Sequence, residues 1–170
     1  MWSWIALAVG VMLIVGLGLW LALVISMRTK YTPVLTAIRR MNRRFTNPRV
    51  MRTAGKPGAT YSVIRNEGRS TGSEYRTPIG VLDTDDGGLV ITLPYGTSSD
   101  WLKNVLAAGS AIVDHNGDSY AVTEPKVVGA DEVGRHFSTR ERWTNRIYGV
   151  DHFLVLRRAE DADAPVGESR

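Results

Sequence analysis

Cysteine is absent from the chain, which excludes a disulfide framework, a thiolate nucleophile and cysteine-ligated metal. Histidine occurs only at His115, His136 and His152. These positions lie far apart and have no ligand spacing, so no metal site is expected. No nucleophile elbow, phosphate-binding P-loop or kinase-type motif is present. No carboxylate pair stands out for acid–base work, and Asp83 and Asp85 fall in a turn, where solvated charge is the ordinary reading. His152 beside Asp151 reads as a surface pair, with an oriented base as the alternative.

Charge is missing from Trp2 to Met27. A helix of that length crosses a hydrocarbon core of roughly 30 Å, and Trp2, Trp4 and Trp20 suit interfacial positions. The alternatives are a signal peptide and a buried helix. The run lacks a basic leader and a small-x-small cleavage pattern, which disfavours the first. Acids are missing until Glu67, whereas Arg28, Lys30, Arg39, Arg40, Arg43, Arg44, Arg49, Arg52 and Lys56 all precede it. The expectation is a single-pass protein of the cell membrane with its C-terminal domain in the cytoplasm. The formal charge of +4 is then mostly a membrane-surface signal rather than a nucleic-acid one. The bilayer is an expected partner and nucleic acid is not.

The segments expected are an anchor over 1–27, a basic juxtamembrane helix and linker over 28–58, a domain over 59–158, and a disordered tail over 159–170. Thr32-Pro33 reads as a helix start. Val34, Leu35, Ile38, Met41 and Phe45 then form the apolar stripe, with Arg39, Arg40 and Arg43 facing away, and Asn47-Pro48 ends the helix. Gly55–Gly58 reads as the linker.

Beyond it the period falls to two. Strands are expected over 59–65, 76–82, 89–93, 111–115 and 119–123. The last continues through 126–128 after a proline kink or bulge, and 152–156 forms a final strand. Asp100–Ala108 is a helix capped by Ser98 or Ser99 and stopped by Gly109, with Trp101, Val105 and Ala108 on one face and Leu102 beside them. Residues 130–142 read as one helix with Val133 and Phe137 inward. Short hairpin-linked strands with few helices point to a small barrel or sandwich.

The binding-type residues concentrate in Gly68–Pro78. This stretch is rich in glycine, arginine and hydroxyls and lies between two strands. Glycines let a backbone approach a ligand, consecutive N–H groups can converge on an oxyanion, and guanidinium supplies forked donors. A polar hairpin that binds nothing has the same composition. Tyr95-Gly96-Thr97 and Asp100-Trp101-x-x-Asn104 complete the set. The lack of catalytic side chains suits a bound cofactor that carries the chemistry, although a non-enzyme shows the same lack.

Gly68-Arg69-Ser70-Thr71-Gly72-x-x-Tyr75-Arg76-Thr77-Pro78, followed by Tyr95-Gly96, Asp100–Gly109 and Gly117-x-x-Tyr120-x-Val122-x-x-Pro125, resembles the deazaflavin-dependent nitroreductase and quinone reductase family. The resemblance runs from about Tyr61 to Val128. It implies a mainly β fold, a split β-barrel of the flavin-mononucleotide-binding type with a few helices, here preceded by one transmembrane helix. It also implies hydride transfer from reduced deazaflavin coenzyme F-420 to a quinone, nitro compound or other unsaturated acceptor, with a membrane quinone as one candidate small-molecule partner. Under it, Arg69, Ser70, Thr71, Gly72, Arg76, Thr77 and Pro78 take the anionic tail. Tyr95, Gly96 and Thr97 line the ring, and Trp101 and Asn104 pack near it and fix the helix. A plain core role for Trp101, flavin mononucleotide (FMN) or haem as the ligand, a non-catalytic lipid-binding module and a homodimer all remain open.

Overall fold

The computed structural model describes residues 2–159. The chain opens with α1 (Trp2–Arg28), the one helix among the described residues long and apolar enough to cross a membrane. A second helical stretch follows: α2 (Thr32–Met41), a π-turn over Asn42–Thr46, and α3 (Asn47–Val50). The strands are β1 (Ser62–Glu67), β2 (Glu74–Ile79), β3 (Val81–Asp83), β4 (Leu89–Thr92), β5 (Ser110–His115), β6 (Asp118–Gly129) and β7 (His152–Arg158). Helix α4 (Asp100–Ala108) lies between β4 and β5. Helices α5 (Ala130–Val133) and α6 (Thr139–Tyr148) lie between β6 and β7.

All seven strands join one antiparallel sheet in the order β2-β1-β5-β6-β7-β4-β3. Its two edge strands, β2 and β3, are separated in the chain by Gly80 alone. In a flat sheet six strand spacings would hold those edges about 29 Å apart. One intervening residue allows about 7 Å. The sheet must therefore curl until its edges meet, and the expected mainly β barrel with a few helices is what forms.

The barrel interior holds Ile64, Ile79, Leu89, Ile91, Val113, Val122, Leu154 and Leu156, closed over by Leu102 and Val105 of α4. Val90 and Phe153 point outward and meet Val133 and Phe137, in a second cluster beneath the α5–α6 segment. β4 is thus buried on both faces, which accounts for its continuous apolar run. The bulge expected in β6 lies between Thr123 and Lys126.

Two expected elements differ. The single helix over 130–142 is broken. α5 gives way to a 3-10 turn over Gly134–His136, Phe137 is extended, and α6 restarts behind a capping box. There Ser138 accepts from the Glu141 amide while the Glu141 carboxylate accepts from Ser138 N–H. In the juxtamembrane helix, Pro48 does not end the helix but sits in the first turn of α3. The inward positions are Leu35 (2% exposed), Ile38, Arg39 and Asn42, then Asn47 and Val50. The jump of five from Asn42 to Asn47 is the π-turn, whose extra residue rotates the helix face. Phe45, within that turn, stands exposed; before it, in regular helix, Arg39 faces inward four residues after Leu35 and Met41 is exposed. The Gly55–Gly58 stretch docks on the β5–β6 hairpin, with Gly117 N–H donating to Gly55 O at 2.7 Å and Gly58 N–H to Asn116 Oδ1 at 2.9 Å. The proposed tail from 160 onward lies outside the described residues.

Candidate functional site

Strand direction gives the barrel two ends. At the near end β7 begins, β4 and β1 finish, and α1 meets the barrel. There Arg28 Nη1 donates to Arg146 O at 2.7 Å, and Lys30 Nζ donates to Gly149 O at 2.7 Å and lies 3.5 Å from Asp151 Oδ1. Partial burial works against the Asp151 carboxylate. The His152 ring and the Lys30 ammonium outweigh it and hold its pKa below the ordinary value. His152 is thus the surface partner of Asp151, at 2.9 Å.

The Gly68–Ser73 turn sits at this near end. Gly68 N–H donates to Ser73 O at 2.8 Å, Gly72 N–H donates back to Gly68 O at 2.8 Å, and Gly72 has φ +65, a conformation glycine adopts without penalty. A Cβ on Gly68 would fall 2.7 Å from the Tyr75 ring, so the first glycine serves the turn's own packing. Ser70, Thr71 and Ser73 are exposed.

Arg69 is latched to α4. Its Nη1 donates to Asn104 Oδ1 at 2.7 Å, its backbone N–H reaches the same oxygen at 3.4 Å, and its Nη2 lies 3.7 Å from Asp100 Oδ1. Asn104 is 5% exposed, so the buried amide ties helix to turn. Trp101 is half-buried and packs on the interior cluster. Leu102, expected beside that face, is fully buried, whereas Ala108 is exposed. Neither candidate serine caps α4: Ser99 holds the cap position without a side-chain bond, and Ser98 Oγ accepts from Arg39 Nη2 at 2.9 Å.

The loop after β4 meets α2. Asn42 Nδ2 donates to the Tyr95 hydroxyl at 2.9 Å, and Arg39 Nη2 reaches Tyr95 O at 3.4 Å. Burial raises the Tyr95 pKa against the opposing effects of Asn42 and Arg39, so the phenol stays protonated. Gly96 closes the loop with φ +72. Arg39 Nε above this loop and Asn66 Oδ1 below the turn are buried without partners among the described residues.

Arg76 does not join this group. It pairs across the sheet with Arg65, and its Nη2 lies 3.6 Å from Asp114 Oδ2. Asp114 also accepts from Arg65 at 3.0 Å and from Ser119 at 2.7 Å. Pro78 pairs with Val63, and strand alternation puts both on the face opposite Ile64 and Thr77. The structure therefore brings together Arg69, Ser70, Thr71, Gly72, Asn104 and Trp101, with Tyr95, Gly96 and Thr97 on the adjoining loop. It sends Arg76 and Pro78 to the outer face of the sheet. Thr77 faces inward, further along β2.

One polar cluster was not foreseen. At the far end, the buried Ser62 hydroxyl shares a 2.6 Å hydrogen bond with His115 Nδ1, and His115 Nε2 lies 3.1 Å from Asp83 Oδ2. Asp83 also pairs with Arg158, whose guanidinium stacks 4.0 Å from the Tyr120 ring centroid. Asp83, at the end of β3 and still exposed, thus bridges β3 to β5 and β7 as well as facing solvent. Ser62 is 3% exposed, which excludes it as a nucleophile for a soluble substrate.

No family model matches the chain, and no curated protein does. Solved structures similar to it include the following three. One is a protein of unknown function from Agrobacterium tumefaciens, 15% identical, aligned over 59% of this chain with a TM-score of 0.42; the chain spans only 49% of that protein's length. Another is an F-420-H2 dependent reductase, 12% identical over 58% of this chain and 94% of its own, with a TM-score of 0.38. A third, from Clostridium acetobutylicum, is related to general stress protein 26 in the pyridoxinephosphate oxidase family. It is 11% identical over 66% of this chain and 80% of its own, with a TM-score of 0.43. At such scores the barrel assignment rests on the sheet's own connectivity.

Proposed function

We propose that this chain is a membrane-anchored oxidoreductase that passes hydride from reduced deazaflavin coenzyme F-420 to a quinone, nitro compound or other unsaturated acceptor. The observation that carries this reading is the near-end constellation. An exposed, hydroxyl-rich glycine turn, its arginine oriented by a buried asparagine, opens at the end of the barrel from which the apolar helix leaves. The residues fit an anionic tail in part. Arg69, Ser70, Thr71 and the Gly72 backbone would hold it, and Tyr95–Thr97 and Trp101 would flank a planar ring. Arg76, on the outer face and beside Asp114, lies apart from this group. When bound, the deazaflavin supplies the hydride. The chain's part is to bind and orient it and to face its acceptor side toward the bilayer, where a membrane quinone resides. FMN is the alternative ligand.

A second reading has its own support. Arg69 is already met by Asp100, and Arg76 by Asp114. Neutralised guanidiniums suit a non-catalytic cofactor- or lipid-binding module. Titration of the detergent-solubilised full chain with oxidised deazaflavin and with FMN, followed by oxidation of reduced deazaflavin by menadione, separates the two. Saturable deazaflavin binding with turnover is expected. Absence of saturable binding overturns the proposal, and binding without turnover across several acceptors favours the second reading.

A further inference from the structure

α6 runs in the same direction as the last turns of α1, beside them. Its C-terminal end meets Arg28 and its N-terminal end meets Trp20. Between them opens a cavity of about 710 Å³ lined by Trp20, Arg140, Trp143, Thr144 and Ile147, among others. Trp143 is 68% exposed and Trp20 43%. A polar ten-residue helix has no folding reason to hold out a tryptophan, and Arg140 has no ion-pair partner among the described residues.

The length of α1 places this cavity. From Trp2 to Trp20 the helix rises about 27 Å, close to the thickness of a hydrocarbon core. The remaining eight residues to Arg28 add about 12 Å, which emerges into the headgroup layer. Trp20 and, one turn further toward Arg28, Trp143 then both fall within the interfacial layer, the depth tryptophan prefers, where the long Arg140 side chain can reach lipid phosphates.

We infer that the α1–α6 groove is a headgroup site for an anionic phospholipid of the adjoining leaflet, with Arg140 and Thr144 donating to the phosphate and the two tryptophans walling the groove. The inference rests on the reading of α1 as a membrane span and does not depend on the cofactor.

The cysteine-free chain allows single spin labels at Leu13→Cys, Trp143→Cys and Glu124→Cys in the full protein in nanodiscs. The expected result is oxygen-dominated collision at 13, interfacial values at 143 and nickel-chelate-dominated values at 124. Water exposure at 13 overturns the membrane reading and the inference with it. Membrane depth at 13 with full water exposure at 143 overturns the inference alone.

Native mass spectrometry of protein released from mixed phosphatidylglycerol and phosphatidylcholine nanodiscs tests the headgroup. Preferential retention of phosphatidylglycerol is expected, lowered about fivefold by Arg140→Gln, as loss of one interfacial cation predicts. Arg157→Gln, at the opposite end of β7, should leave retention unchanged. Equal retention of the two lipids, or equal effects of the two substitutions, overturns the site.

Discussion

The two ends of the barrel use the same kinds of residue for different ends. At the far end Ser62, His115, Asp83 and Arg158 are bonded to one another and tie four strands together. At the near end the Ser70 and Ser73 side chains are exposed, the Thr71 hydroxyl accepts from Ser73 N–H at 3.3 Å, and Arg69 is half-exposed between the buried Asn104 amide and Asp100. A polar group satisfied inside the protein contributes to stability, whereas one held in place and left open is available to a ligand. The contrast separates clamp from cradle more cleanly than residue type does.

Substitution between the ends should have the largest effect. Ile91→Ala empties an interior position that both ends share and should cost about 2–5 kcal/mol, read as a lowered denaturation midpoint together with lost ligand binding. Arg69→Ala should keep the fold and weaken deazaflavin binding by about 1.5–3 kcal/mol in titration; unchanged affinity would mean that the near end is no cradle. Asp83→Ala should do the converse. It should lower stability by about 1–2 kcal/mol, because His115 and Arg158 lose their shared acceptor, and leave affinity intact. A change in deazaflavin affinity would abolish the distinction between the ends. Arg76→Ala should have the smallest effect, under about 1 kcal/mol in stability and none on binding, since its partner is Asp114 on the outer face.

Much of the near end was legible in sequence because its signals are local. Glycine spacing marks the Gly68–Ser73 turn, and Asp100-Trp101-x-x-Asn104 places three residues on adjoining turns of one helix. The far end was not legible, because His115 and Asp83 are joined only by curling of the sheet. The same limit applied to Arg76: its residue type suits an anion, but pairing with Arg65 decides which face it takes. The break at Phe137 did have a signal in Ser138-x-x-Glu141, masked by the helical spacing of Val133 and Phe137. The π-turn after Asn42 had none, since no residue type specifies an inserted helical position.

The position of β7 bears on how the chain is made. It is the last of the described strands, yet it lies inside the sheet, with β6 on one side and β4 on the other. During synthesis α1 is released long before His152–Arg158 leaves the ribosome. Until then β4 and the second half of β6 present open edges, which invite pairing with other chains. Such a nascent chain would wait with the seam unclosed. Its yield would then depend on how quickly the last strand arrives and on what shields the two edges meanwhile.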